Sequence, residues 1–569
     1  MSKSILLQLA IKSLNQSYLW LVFLLLAAPL VSKSQHINEH IQNQSLYSFL
    51  DELATSQIIE LNTAVKPYSR LTIAGFLQQA ASDRDKLSKA QQDHLKLWLK
   101  EFALETDTLK TGKLTLFHHP NRSSLHLLPP EFSYRDNYFR ILLRPVYGIR
   151  FMQNTNTNQT ASIGGIEGAA YLGKNWALYA SLRDNYNSGE PFTKPEYFTQ
   201  EPAGNYKFAK GSEFSEMRGG ITYSWRWGTI GFVKDHLAWG DNANGSNILS
   251  GNTPSFPMIT LKIKPVKWFE FNYFHGWLVS EVIDSTRSYY TASGDYKAVF
   301  RKKFIAANLY TFTPLKRLNI SVGNAIIYSD MNVHPAYLIP FSFFKSIDHT
   351  LNFNIENQNS MMFINLSSRQ IRNLHFYFSA FIDEFSLTRV TDKTKHNFIS
   401  LKGGFSVAGW PFQNLSLNAE LTHTNPNTFE HYTETTTYES NNYNLGHYLR
   451  SNSIDYYLSF NYLLPHAIRI KASYNYAFHG NDYDYDYNGS IPVDQLPVLE
   501  QKSWTHQNLN LHAEIYPVPN LRLFTSLSLD IIKGYDLDGK PAHYYLDKFS
   551  PKYLHGNTKS WVIGFNLGI

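Results

Sequence analysis

The stretch NLNLHAEIYPVPNLRLFTSLSLDII, Asn508 to Ile532, decides the fold. In its first arm Leu509, Leu511, Ala513 and Ile515 fall on one face of an extended chain, and Asn508, Asn510, His512 and Glu514 on the other. Pro517-Val518-Pro519-Asn520 breaks the run. The second arm then sets Leu521, Leu523, Leu527, Leu529 and Ile531 against Arg522, Ser526, Ser528 and Asp530. A two-residue period on both sides of a tight turn is a β-hairpin with one apolar and one polar face. A membrane barrel wall needs this pattern, with lipid outside and a polar lumen within.

The same unit recurs with turns at Pro265, Pro314, Pro411 and Pro465. Those connections are short. The ones between units are long and polar, at about 279–299, 423–453, 479–503 and 534–559. Short turns alternating with long loops is the polarity of an outer-membrane barrel, short turns periplasmic and long loops outside. Upward strands are expected to begin near 138, 174, 229, 268, 318, 374, 414, 467 and 521, and downward strands near 159, 212, 256, 300, 351, 397, 454, 504 and 559. The fold class is therefore an all-β antiparallel transmembrane barrel of about 18 strands, an even number as single-chain bacterial barrels have. The final strand, WVIGFNLGI, brings the chain back to the periplasmic end.

Ahead of the barrel the pattern is helical. Leu46, Phe49, Leu50 and Leu53 share one face, as do Leu71, Ile73, Phe76, Leu77 and Ala80. A third helix opens at Ser88 with Gln91 three residues on, a capping-box pattern, and Pro67 separates the first two. Before these, Lys3 and Lys12 precede the apolar run Leu19–Val31, with Ser32 and Ser34 beyond it, which reads as a secretory signal cut near Gln35. The run is shorter than the ~20 residues of a spanning helix, and no later segment matches it. The expected division is a signal peptide at 1–34, a helical periplasmic domain at 35–110 and the barrel at 111–569.

Composition agrees with a barrel: 43% of the 569 residues are hydrophobic and 15% aromatic, including 37 Tyr and 38 Phe, while mean hydropathy is only −0.32. The net charge of +6 is spread along the chain, so nucleic acid is not an expected partner. With no cysteine, a disulfide framework, a thiolate metal site and a lipid-anchored N-terminus are excluded.

Four stretches resemble the Wzi-type capsule-assembly outer-membrane proteins, and the related RemB-type proteins of gliding motility. They are YSFLDELATSQIIELNTAVKPYSRLTIAGFL from Tyr47, KDHLAWGDNANGSNILSGNTPSFPMITLKIKP from Lys234, HPAYLIPFSFFKS from His334 with IDEF at Ile382, and Asn425-Pro426 with NLGHYL from Asn444. The Wzi resemblance implies an outer-membrane barrel of this size that binds surface polysaccharide and organises capsule in a lectin-like way. The RemB resemblance implies adhesion or motility instead. Neither brings a catalytic set or a cofactor. The expected partners are extracellular polysaccharide and outer-membrane lipid, together with periplasmic export or motility proteins.

Among single residues, Trp239 and Asp241 sit in a loop expected outside. There Trp239 is a candidate platform for a sugar ring and Asp241 an acceptor for hydroxyls. The alternative is a loop that turns at Gly240, folds back and packs. In NDYDYDYNG, Tyr483 and Tyr485 are further carbohydrate candidates. Asp482, Asp484 and Asp486 resemble a calcium loop, although Tyr487 occupies the place where such loops carry glycine. No H-x-x-x-H or H-E-x-x-H spacing falls on a helix, so no metal centre is expected. No G-x-S-x-G elbow appears, and an enzyme is not expected. A passive diffusion channel remains an alternative, because the polar inner faces suit a hydrated bore.

Overall fold

The computed structural model describes residues 35–568 except 107–113, 119–122, 205–206, 210, 352–356, 484 and 486–490. The proposed signal, 1–34, lies outside the described residues. Eighteen antiparallel strands close a barrel. They are β1 (Phe139–Asn154), β2 (Asn158–Leu172), β3 (Trp176–Asn187), β4 (Gly211–Trp225), β5 (Gly228–Asp235), β6 (Phe256–Val266), β7 (Phe269–Ile283), β8 (Phe300–Leu315), β9 (Leu318–Ser329), β10 (Gln358–Ser368), β11 (Leu374–Glu384), β12 (Phe398–Ala408), β13 (Leu415–Thr424), β14 (Ser453–Leu464), β15 (Ile468–His479), β16 (Trp504–Val518), β17 (Leu521–Gly534) and β18 (Gly556–Leu567). Closure runs from Ser560↔Asn154 to Leu567↔Tyr147 between β18 and β1.

The opening hairpin has the register its sequence implies. Leu509 faces Leu529 and Leu511 faces Leu527 on the outer wall, while Asn508 faces Asp530 within. The four leucines are about half exposed, and inside Asn508 donates to Ser528 at 2.7 Å. Trp176, Trp268 and Trp410 stand exposed at short turns, the aromatic belt of one membrane interface.

Two expectations need correction. The downward strand expected near 351 starts at Gln358, because Phe344–Leu351 is helical. The inner wall is also not uniformly polar. Phe274, Ile305, Leu309, Ile327, Phe363 and Phe381 point inward into an apolar cluster, because chain segments fill the bore there and take the place of water.

One of those segments is the helical lead-in: α1 (Gln44–Thr55), α2 (Arg70–Ser82) and α3 (Lys89–Glu101). Each start is capped by the residue before it. Asn43 accepts from Leu46 N, Ser69 accepts from Thr72 N, and Ser88 with Gln91 forms a reciprocal capping box. Leu46, Phe49, Leu50, Leu53, Leu77 and Trp98 make a small core that continues onto Leu463, Ala467 and Tyr516 of the barrel. Polar contacts fix the same seating at the short turns. Asp93 accepts from His466 N at 3.0 Å, Asn373 N donates to Thr55 O at 2.9 Å, and Lys316 pairs with Glu60 at 2.9 Å. The three helices therefore stopper the short-turn mouth. His94 of α3, buried at this junction, has its pKa pushed down to about 4 by loss of solvent.

Candidate functional site

The segment 236–255, between β5 and β6, starts at the long-loop end and dives into the barrel. It meets the lead-in in a two-residue antiparallel ladder, Val65↔Trp239 and Lys66↔Ala238. Gly240 then turns the chain with φ +97°, a conformation that favours glycine. The polar run that follows is matched residue by residue to the inner wall. Asp241 exchanges two hydrogen bonds with the Asn365 amide, at 3.0 and 3.1 Å. The Glu420 carboxylate accepts from Ala243 N at 2.7 Å and Asn244 N at 3.1 Å, and also from Tyr377 and Lys402. Asn244 donates to Asp455 at 2.8 Å, and Asn247 bridges Ser379 and Ser400 O. Buried polar groups need such partners, and here the wall supplies them.

Trp239 and Asp241 are thus not on an external surface. Trp239 is 2% exposed and packs edge-on to Phe274 and Phe363 at 5.3 and 6.3 Å. No ring face is left for a sugar. Asp241 belongs to a buried set with Arg369 and His375, at 3.7 and 3.6 Å, and Arg369 also reaches Asp51 of α1. Deeper in the bore, Arg70 pairs with Glu39 and Glu105 at 2.8 Å each. Arg144 meets Glu101 in a close pair, with Glu131 and Glu167 at 3.8 Å. The Arg70 pairs brace the lead-in internally, and the Arg144–Glu101 pair ties it to the strands.

Among the described residues one His–carboxylate group comes within metal-ligand reach: His40, Glu216 and His236. His40 Nδ1 accepts from Gln42 N at 3.0 Å, so Nε2 carries the proton and has no lone pair to offer a metal. Arg218 and Arg183 add positive charge there. The group acts as a strut between lead-in and wall: Glu216 accepts from His236, and His40 packs its ring beside it.

The surface open to the outside is built from other loops. Tyr485 lies beside Tyr432 at 6.0 Å, His431 at 6.2 Å and Phe398 at 6.4 Å. Arg389 stacks over Phe398 at 4.9 Å and pairs with Asp494 at 3.1 Å. Residues from three long loops, 385–397, 425–452 and 480–503, converge here, and Tyr432 is 41% exposed. Tyr483 is near by in sequence but turns to Pro497 O at 3.3 Å. Asp482 is held in a close ion pair by Lys548, so its carboxylate already has a cation. Asp484 and Asp486, the other calcium candidates, lie outside the described residues. Behind Tyr432, half-buried Glu430 has its pKa pushed up to about 7 by loss of solvent, against the opposing hydrogen bond from Ser451.

A second aromatic display was not singled out from the sequence. The loop after β7 forms a hairpin, Tyr289↔Lys297 and Tyr290↔Tyr296. Tyr290 is 72% exposed, with Tyr289 and Tyr296 about half exposed beside it. The spacing Tyr-Tyr…Gly-Asp-Tyr around a Gly294 turn was the available signal.

The sequence matches the family model "capsule assembly protein Wzi" over residues 148–541, more than half of the chain. No curated protein sequence gives a significant match. Among solved structures, the fold is similar to Wzi of Escherichia coli, described as an outer-membrane protein involved in group 1 capsule assembly and a carbohydrate-binding β-barrel. The identity there is 12%, the TM-score 0.54, with 94% of this chain and 99% of that one covered. OccD3 of Pseudomonas aeruginosa, at 10% identity, covers 75% of this chain and 90% of its own with TM-score 0.41. OpdK of the same organism, at 7%, covers 75% and 98% with TM-score 0.42. The last two are too distant in overall shape to carry an argument. The protein is an outer-membrane β-barrel, and the chain belongs to the Wzi capsule-assembly family.

Proposed function

We propose that this protein binds and organises a surface polysaccharide on the outer face of the membrane, as a passive, non-enzymatic holder. The observation that carries the reading is the pair of tyrosine displays, Tyr432 with Tyr485 and Tyr289–Tyr290 with Tyr296, set on loops of a closed barrel. Tyrosine offers a flat apolar face to a pyranose and a hydroxyl to its oxygens. Arg389 and Asp494 beside the first display suit hydroxyls or acidic sugars. Contacts that are weak singly add up on a repeating polymer. Family membership and the carbohydrate binding of the E. coli relative support the same reading.

In this arrangement residues 1–34 are the cleaved signal. The outer side of the three helices, at the short-turn mouth, faces the periplasm and is open to export or motility proteins. The test is glycan-array binding by the purified protein, combined with capsule staining of a deletion strain. Tyr432→Ala and Tyr485→Ala should each weaken binding about fivefold, roughly 1 kcal/mol for an exposed aromatic contact. An intact capsule in the deletion strain, with surface spreading lost, would move the function to motility.

A further inference from the structure

Residues 333–344, after β9, do not project outward. They fold back over the outer wall of the barrel. On that wall β7, β8 and β9 carry an unusual polar seam, because Tyr273, Asn308 and Asn324 sit at outward positions between lipid-facing neighbours. Such groups facing hydrocarbon without partners would be strongly destabilising.

The loop answers each of them. Tyr273 donates to Tyr337 O at 2.8 Å, and Tyr310 to Phe341 O at 3.0 Å. The Asn308 amide donates to Pro340 O at 2.9 Å and Ser342 O at 2.8 Å. Asn324 donates to Asn308 at 2.7 Å and accepts from Phe344 N at 2.9 Å. Several of the loop's own N–H groups are satisfied within the loop. Tyr337 N reaches His334 O, Ile339 N reaches Ala336 O, and Ser342 N reaches Ile339 O. Pro335 and Pro340 have no N–H to satisfy.

Register sets the depth. Tyr310, under Phe341, pairs with Val322, which pairs with Ile364, and both of these are exposed on the lipid-facing wall. The Phe341 ring stacks on Phe271 at 4.5 Å, one outward position from the short-turn end of β7. The tip of the loop therefore lies within the apolar belt. Its far side is apolar as well: Leu338, Ile339, Phe341 and Phe343 are all exposed, with Phe341 at 56%.

We propose that residues 333–344 form a flap inserted in the bilayer, whose Leu338, Ile339, Phe341 and Phe343 contact lipid acyl chains. Its inner side seals the polar seam, and its outer side continues the lipid-facing belt. Irregular backbone is tolerated at membrane depth only where its polar groups are turned to protein, and here the carbonyls of Tyr337, Pro340, Phe341 and Ser342 all accept from side chains of the wall.

The chain has no cysteine, so single nitroxide labels can be placed cleanly. Phe341→Cys and Phe343→Cys, labelled and reconstituted in phosphatidylcholine vesicles, are compared with Leu511→Cys on the wall and Ser293→Cys in an outer loop. Gel mobility without heating verifies that each barrel has folded. The expected result is several-fold greater accessibility to oxygen than to a water-soluble nickel chelate at both flap sites, matching Leu511. Nickel accessibility like that of Ser293 would overturn the proposal by placing the flap in water. Protection from both reagents would also overturn it, and would assign the surface to a protein partner or a second copy. If the seam holds the flap, Asn308→Leu with Asn324→Leu should increase the mobility of the Phe341 label in a barrel that still folds; an unchanged spectrum would contradict that part.

Discussion

Glu420 shows what a single residue does in this barrel. Its carboxylate is fully buried and shared by Lys402, Tyr377 and two backbone N–H groups of the inserted segment. Glu420→Ala would leave the Lys402 ammonium buried without a counter-charge, a loss of roughly 3–5 kcal/mol. Urea unfolding of the refolded barrel should show it, and Glu420→Gln should lose less because it keeps acceptor capacity. Glu430 gives a pH signature. Burial raises its carboxyl to about 7 in the folded loops, above its ordinary value of 4.5, so the folded form holds a proton that the unfolded chain has released. Stability of the loop cover is therefore full below the ordinary carboxyl range and falls as pH rises to about 7. Hydrogen exchange in residues 425–452 should quicken over that window, and Glu430→Gln should flatten the trend. At this scale the sequence was least informative. The run Gly240–Asn247 is polar and glycine-rich, as an outer loop would be. Its burial depends on Asn365, Glu420 and Asp455, which lie more than a hundred residues away and carry no local mark.

Elements were far more legible. Alternation within each hairpin fixed both strand and register, because a slip by one residue would turn every leucine of Leu509–Ile515 inward. Leu511→Arg, on the lipid face, should cost about 2–4 kcal/mol near the midplane, measured by folding into vesicles. Ser88→Ala, which removes the capping box of α3, should cost about 1 kcal/mol and quicken proteolysis of the helical unit. Where the alternation failed, the failure carried information. Phe304–Leu309 and Ala325–Tyr328 are nearly continuous apolar runs, which mark burial on both faces. The structure supplies both covers, the inserted segment inside and the flap outside. The helix Phe344–Leu351 displaced the expected start of β10 to Gln358.

At the scale of the whole molecule, two pieces far apart in sequence occupy one barrel. The helices seat on the short turns, the segment 236–255 enters from the other end, and they meet at the Val65–Trp239 pair. This joint makes the barrel a rigid base for its tyrosine-bearing loops, and it argues for display over transport. The most direct measurement of that claim is planar-bilayer conductance of the full protein beside a variant lacking both the helical lead-in, residues 43–101, and residues 241–247. The intact barrel should be silent, and steps of conductance should appear once both pieces are removed. A steady open conductance in the intact protein, unchanged by the deletion, would contradict it.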